Sequence, residues 1–168
     1  IDKCINKNQK NGLIITGKSG VGKTHLATAI LNKLTEKDML VLMGRLILLL
    51  DVIKDTFKDF SSKEKDIIEL YSKVDMLIID DLGTERNTDY GLEKVYNVID
   101  SRYLAGKPLI LTTNLMLVDM KENIDTRYKR IYDRIFAMCF PHRVAGASWR
   151  MNQAADRYDE MRKRLLED

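Results

Sequence analysis

Apolar residues in this chain come in short unbroken runs, separated by longer stretches where they recur every three or four positions. The runs are Leu13–Thr16, Leu40–Met43, Val74–Ile79, Leu109–Thr112 and Ala137–Phe140. None shows the strict alternation of a half-exposed strand, so they predict strands covered on both faces, as in a parallel sheet. The stretch Lys23–Leu34 predicts a helix, with Leu26, Ile30 and Leu34 on one face. Tyr90–Leu104 does the same through Leu92, Val95, Val98 and Ile99, and Arg127–Phe136 predicts a shorter helix. Leu46–Phe60 and Lys63–Ser72 predict two successive helices with no strand between them. Trp149–Leu166 predicts a closing helix of mixed charge. Strands alternating with helices in this order predict an α/β domain with a five-stranded parallel sheet.

Composition narrows the class. The 168 residues are 45% hydrophobic and 32% charged, a globular rather than disordered balance. The longest apolar run, Leu46–Leu50, ends at Asp51, far short of the roughly 20 residues that span a bilayer. With no signal-peptide pattern either, a cytoplasmic protein without a membrane partner is expected. Cys4 and Cys139 have neither disulfide-framework nor metal-ligand spacing and are expected as reduced thiols, Cys139 buried. The chain opens on Ile1 rather than Met, as a fragment of a longer protein would. Net charge is only +3, but residues 121–150 hold Lys121, Arg127, Lys129, Arg130, Arg134, Arg143 and Arg150 against Glu122, Asp125 and Asp133. Such a stretch suits either a solvated face or a surface that meets phosphates.

The first chemical motif is Gly17-Lys18-Ser19-Gly20-Val21-Gly22-Lys23-Thr24. It fits G-x-x-x-x-G-K-[ST] between a predicted strand and a predicted helix, the context a phosphate-binding loop requires. The glycines let successive backbone N–H groups turn inward on phosphates, and the helix adds its positive N-terminal end. Lys23 is expected on the β- and γ-phosphates of ATP or ADP, and the Thr24 hydroxyl on Mg²⁺. Lys18 and Ser19 fill variable positions. His25 continues the nucleotide-binding segment and is expected on the helix surface rather than as a ligand.

The second motif is Leu77-Ile78-Ile79-Asp80-Asp81, an apolar strand ending in two carboxylates. Asp80 is expected at the Mg²⁺ and Asp81 as the base that orients the attacking water. The third is Leu111-Thr112-Thr113-Asn114. Ligands of open α/β sheets sit at the carboxyl ends of strands, so Asn114 is expected to sense the γ-phosphate or the water. The last group is Arg130, Arg134 and Arg150. Phosphoryl transfer gains from an arginine that neutralises the transferred group, and helix-surface ion pairs are the alternative use.

Together these segments resemble the AAA+ domain of bacterial replicative helicase loaders of the DnaC and DnaI type. They also resemble the ATP-binding helper proteins of certain insertion sequences. The resemblance runs from Asn11 to Arg150. It rests on Gly17–Thr24 continued by His25-Leu26-Ala27, on Asp51–Phe57, and on Val74–Glu85. Ile99–Tyr103 before Lys107-Pro108, Thr112–Leu115, Arg130–Arg134 and Gly146-Ala147-Ser148-Trp149-Arg150 complete it. It implies an AAA+ three-layer αβα sandwich over residues 11–168 with a reduced C-terminal helical lid. Residues 1–10 would be a linker from a missing N-terminal, helicase-binding domain. Asn114 is similar to sensor 1, and Arg134 to the arginine finger that acts in trans on a neighbour's ATP. Arg130 and Arg102 are the next candidates for that finger. Arg150 matches sensor 2. The helices Leu46–Phe60 and Lys63–Ser72 look like the paired-helix insertion associated with single-stranded DNA. Where many AAA+ proteins carry Glu, this chain has Asp81, which implies slow hydrolysis.

The function expected is an ATPase that loads a replicative helicase onto single-stranded DNA, with nucleotide controlling self-assembly. The alternatives are an ATP-binding helper of a transposase and a DNA-binding module that holds ATP without hydrolysing it. A small-molecule P-loop kinase is disfavoured, because the basic residues follow the AAA+ order rather than forming a lid.

Overall fold

A computed structural model describes residues 11–45, 69–83 and 89–151, with residues 153, 157, 158, 161 and 162. The first strand, β1 (Gly12–Thr16), leads through the phosphate loop into α1 (Lys23–Thr35). Then come β2 (Val41–Arg45) and β3 (Met76–Leu82), followed by α2 (Asp89–Ala105) and β4 (Leu109–Thr113). A five-residue helix α3 (Leu117–Lys121), α4 (Thr126–Met138) and β5 (Cys139–Arg143) follow. The five strands form one parallel sheet in the order β2-β3-β4-β1-β5.

Both faces of the sheet are covered, which is why its strands do not alternate. Ile14, Leu77, Ile79, Leu109 and Leu111 point into a core completed by residues of α2 and α4. Their neighbours Ile15, Met76, Ile78 and Ile110 point the other way, against Ala27 and the apolar face of α1. The result is three layers, helix on sheet on helix. Each fully buried aliphatic side chain contributes about 1.5–3 kcal/mol relative to leaving it in water.

Several boundaries differ from the sequence expectation. The last strand was expected at Ala137–Phe140, but α4 continues through Met138, because Ile131, Tyr132, Ile135 and Met138 form one buried helical stripe. β5 therefore begins at Cys139, and only that residue of the strand is buried. As an edge strand it also accommodates Pro141, which lacks a donor for a further ladder bond. β3 begins at Met76 rather than Val74, whose N–H still donates to Leu70 O, and it runs on through Asp80 and Asp81 to Leu82. β2 likewise starts later than Leu40 and ends at Arg45. The helix α3 is too short to leave a periodic signature.

Helical residues 69–72 agree with the end of the expected Lys63–Ser72 helix. The rest of that helix, Leu46–Phe60, Asp51–Phe57, Glu85, Cys4 and the 1–10 linker lie outside the described residues. A helix starts at Trp149 as expected, and much of its remainder also lies outside them. Among the described residues, no helix is long and apolar enough to cross a membrane.

Candidate nucleotide site

Strand order turns back on itself beside β1, and the carboxyl ends of β1, β4 and β3 lie side by side there. A cavity of about 560 Å³ opens at this edge. Its walls come from Ser19–His25 of the loop and first turn, Asp80 and Asp81 of β3, Thr112 and Asn114 of β4, Arg45 of β2, and Trp149 and Arg150.

The loop's shape is dictated by its glycines. Gly20 has φ 81° and Gly22 φ 99°, both in the left-handed region that a Cβ disfavours. Gly22 is also the N-cap of α1, with no side-chain cap bond, so the first turn of the helix presents its N–H groups to the loop side. A Cβ on Gly20 would overlap Ser148 Oγ, so glycine is required there by space as well as by φ.

Lys23 is buried, and its ammonium donates to three oxygens: Gly17 O at 2.9 Å, Lys18 O at 2.9 Å and Asn114 Oδ1 at 2.6 Å. Burial holds its pKa below the ordinary lysine value, while the Asp81 and Asp80 carboxylates act to raise it and Arg150 acts to lower it further. Gly17 and Lys18 thus take part through their carbonyls rather than as cavity walls.

The carboxylates are tied into the same array. Thr24 Oγ1 donates to Asp80 Oδ1 at 2.9 Å, and Thr112 Oγ1 donates to the same oxygen at 2.6 Å. Thr112 Oγ1 in turn accepts from the Asp81 N–H at 2.9 Å, so one buried hydroxyl sets both aspartates. Asn114 Nδ2 donates to Asp81 Oδ1 at 3.1 Å, while its Oδ1 receives Lys23. Asn114 is therefore the bridge between the loop lysine and the second carboxylate.

Asp81 has φ 63° and sits where the β3–β4 register shifts between Ile79 and Leu82. The irregularity turns its side chain out of the strand's alternation. Asp and Asn tolerate positive φ better than longer side chains, because their short polar groups bond locally. That gives a physical reason for Asp rather than Glu at this position.

The residues present fit a nucleotide with Mg²⁺. Hard oxygen donors, Thr24 Oγ1 and an Asp80 carboxylate oxygen, stand 2.9 Å apart beside the phosphate loop. Mg²⁺ takes few protein oxygens in such sites and shares the rest with phosphates and water.

Arg150 lines the cavity as expected, and His25 is exposed at its wall. Arg134 does not line it. Its Nε donates to Asp100 Oδ1 at 2.7 Å, and its guanidinium lies over the Tyr103 ring, 4.5 Å from the centroid. Arg130 is exposed on the same helix. Arg102 is a correction. It is 0% exposed, and its guanidinium is spent on the carbonyls of Tyr71, Val74 and Pro108, so it cannot reach another subunit. The sequence motifs include Thr112 without giving it a role of its own, and do not single out Arg45. Only strand registers bring them here, Arg45 opposite Asp80 and Thr112 opposite Ile15.

Residues 3–156 match the family described as IstB-like ATP binding protein. The chain belongs to that family. Among similar proteins, the replicative helicase loader DnaC of Escherichia coli (strain K12) is 30% identical over 122 residues, covering 73% of this chain and 49% of DnaC. The phage-like element PBSX protein XkdC of Bacillus subtilis (strain 168) is 32% identical over 154 residues, covering 86% of this chain and 54% of XkdC. The chain thus spans about half the length of the curated relatives it matches. A crystal structure of the DnaC helicase loader superposes with a TM-score of 0.71 at 27% identity, covering 84% of this chain and 82% of that one. A crystal structure of DnaI gives 0.70 at 25%, covering 86% and 78%. The replication initiator DnaA bound to AMPPCP and single-stranded DNA gives 0.70 at 19%, covering 84% and 42%, a likeness of fold. This IstB-like chain therefore has the AAA+ P-loop fold of an ATP-binding family whose relatives include DNA-replication proteins.

Proposed function

We propose that this IstB-like chain is the ATPase unit of a larger DNA-replication protein, one that loads a replicative helicase onto single-stranded DNA. The observation that carries the reading is the single hydrogen-bonded array from Lys23 through Asn114 to Asp81, and from Thr24 through Asp80 to Thr112. Lys23, Thr24, Asp80, Asp81 and Asn114 each have a task in phosphoryl transfer to water, and Thr112 positions both aspartates.

In this reading the loop's N–H groups and Lys23 bind the β- and γ-phosphates. Thr24 and Asp80 would hold Mg²⁺, which when bound neutralises charge on the phosphate oxygens. Asp81 takes the proton of the attacking water, and Asn114 fixes the carboxylate that does so. Arg150 meets the γ-phosphate from the C-terminal segment. Arg134, which lies away from its own cavity, serves the nucleotide of a neighbouring copy. ATP would thus bridge two subunits, and assembly would follow nucleotide state. In this reading the helicase contact is made outside the ATPase unit.

A second reading, an ATP-binding helper of a transposase, is favoured by the IstB-like family match. Both share the ATPase core and differ in partner. Phosphate release measured against protein concentration, with and without single-stranded or duplex DNA, tests them. The loader reading expects low basal release that rises with concentration and with single-stranded DNA. Stimulation by duplex DNA alone favours the transposition helper. ATP binding with no release in any condition leaves a non-hydrolysing module.

A further inference from the structure

The phosphate end of the cavity accounts for the loop, the aspartates and Arg150, but not for Trp149. It is the only tryptophan of the chain, it lines the cavity, and 67% of its surface is exposed. A large indole left in water contributes nothing to the core, yet its backbone is held firmly. The Trp149 N–H donates to Gly20 O at 3.0 Å, in the middle of the phosphate loop. Ser148 packs on Gly20 so closely that a Cβ there would overlap its hydroxyl. Four residues earlier, the Val144 N–H donates to Thr16 O at 2.7 Å, where β1 ends. The segment 144–149 is therefore clasped along the loop, and it presents the indole at a fixed place beside it. Arg150, the next residue, lines the same cavity.

A cationic group beside a flat aromatic surface, both facing one polar loop, suits a ligand with an anionic end and a planar end. We infer that Trp149 is the base-binding residue of this site, its indole stacking on the nucleobase while the loop and Arg150 take the phosphates. The inference rests on the nucleotide reading above and adds what holds the other end of the ligand. Stacking on an indole is tolerant of base identity, because every base has a π-face. The indole stack should therefore contribute about equally to binding adenine and guanine nucleotides.

The test uses the whole chain, with ATP, GTP and inorganic tripolyphosphate as probes. Binding is followed by calorimetry and by the fluorescence of the single tryptophan. ATP and GTP should quench the fluorescence, and tripolyphosphate should not. Trp149→Ala should weaken ATP and GTP roughly 5- to 150-fold, the span of an aromatic–base stack, and leave tripolyphosphate affinity unchanged. Trp149→Phe should retain most of the affinity. Equal losses for ATP and tripolyphosphate would mean that the indole shapes the loop rather than holding the base, and would overturn the inference. So would unchanged ATP affinity in Trp149→Ala, or quenching by an oligonucleotide but not by ATP. Lys23→Ala separates the two levels. If it abolishes ATP binding while Trp149→Ala leaves ATP affinity unchanged, the nucleotide site stands and only the stacking role falls. If wild type binds no ATP, both fall.

Discussion

Lys23 shows how one side chain can be committed twice. Its stem is buried beneath the loop, and its ammonium is shared among two loop carbonyls and the Asn114 amide oxygen. A phosphate contact from such a donor is charge-assisted, and one hydrogen bond of that kind contributes about 1.5–3 kcal/mol. Lys23→Ala should therefore weaken ATP binding at least about tenfold, measured by calorimetry, with the far-ultraviolet circular dichroism of the fold retained. Undiminished affinity would remove the phosphate role. Asp81 calls for a different substitution. Asparagine accepts the same left-handed backbone at φ 63° and keeps an oxygen to receive Asn114 Nδ2. Asp81→Asn should leave nucleotide affinity near wild type and bring phosphate release to background, because the proton acceptor is lost while Asp80 and Thr24 remain. Parallel loss of both would make Asp81 a structural or metal-holding residue.

The start of β3 depends on a charged side chain from another element. Arg102 of α2 is fully buried and donates to Tyr71 O at 2.6 Å, Val74 O at 3.1 Å and Pro108 O at 2.5 Å. It thereby joins the turn before β3 to the residue before β4. Burial pulls its pKa down to about 10, and Asp75 partly offsets this, so it remains charged at neutral pH. A lysine ammonium cannot reproduce the planar fork that reaches these carbonyls. Arg102→Lys should cost about 2 kcal/mol or more in denaturant unfolding, and Arg102→Met about the same or more. A neutral result would show that water replaces the guanidinium. Asp75, in the same turn, receives the Leu40 N–H at 3.0 Å and Lys107 Nζ at 3.4 Å. These two bonds, the backbone one foremost, hold its carboxyl below 3.8. The stability it contributes is present above that ordinary value and is lost as pH falls through the lower folded one. Asp75→Asn should therefore flatten the fall in unfolding midpoint below about pH 4. An unchanged acid profile would show that other carboxylates govern it.

In the function proposed above, Arg134 would act in an assembly of subunits rather than within one. It stands outside its own cavity, bonded to Asp100 and laid over Tyr103 on the surface shared by α2 and α4. An arginine finger supplied in trans is worth roughly 10³-fold or more in turnover. Arg134→Ala should therefore abolish phosphate release while nucleotide binding by the single subunit persists. Lys23→Ala and Arg134→Ala subunits, each inactive alone, should regain activity when mixed, since one interface then pairs an intact loop with an intact finger. A mixture that stays inactive where wild type assembles would remove the trans role and turn attention to the exposed Arg130.

The phosphate loop, the Asp80-Asp81 pair and the covered parallel sheet were legible from sequence alone. Each rests on local requirements: glycine where φ is positive, a lysine and a threonine at fixed spacing, and apolar runs with no alternation. Strand ends were less legible. Ala137–Phe140 reads as an apolar run, but Met138 closes the buried stripe of α4, and that stripe is visible only once the sheet is beneath it. The link from Lys23 to Asn114 and the shared hydroxyl of Thr112 cross 91 and 32 positions of chain. No local pattern encodes contacts that a parallel register creates. Arg102 reads in the sequence as a helix cation and reserve finger candidate, and it becomes a buried tie only when β3 and β4 start beside it. The clasp of residues 144–149 on Gly20, which sets Trp149 at the cavity, likewise exists only because β5 lies against β1.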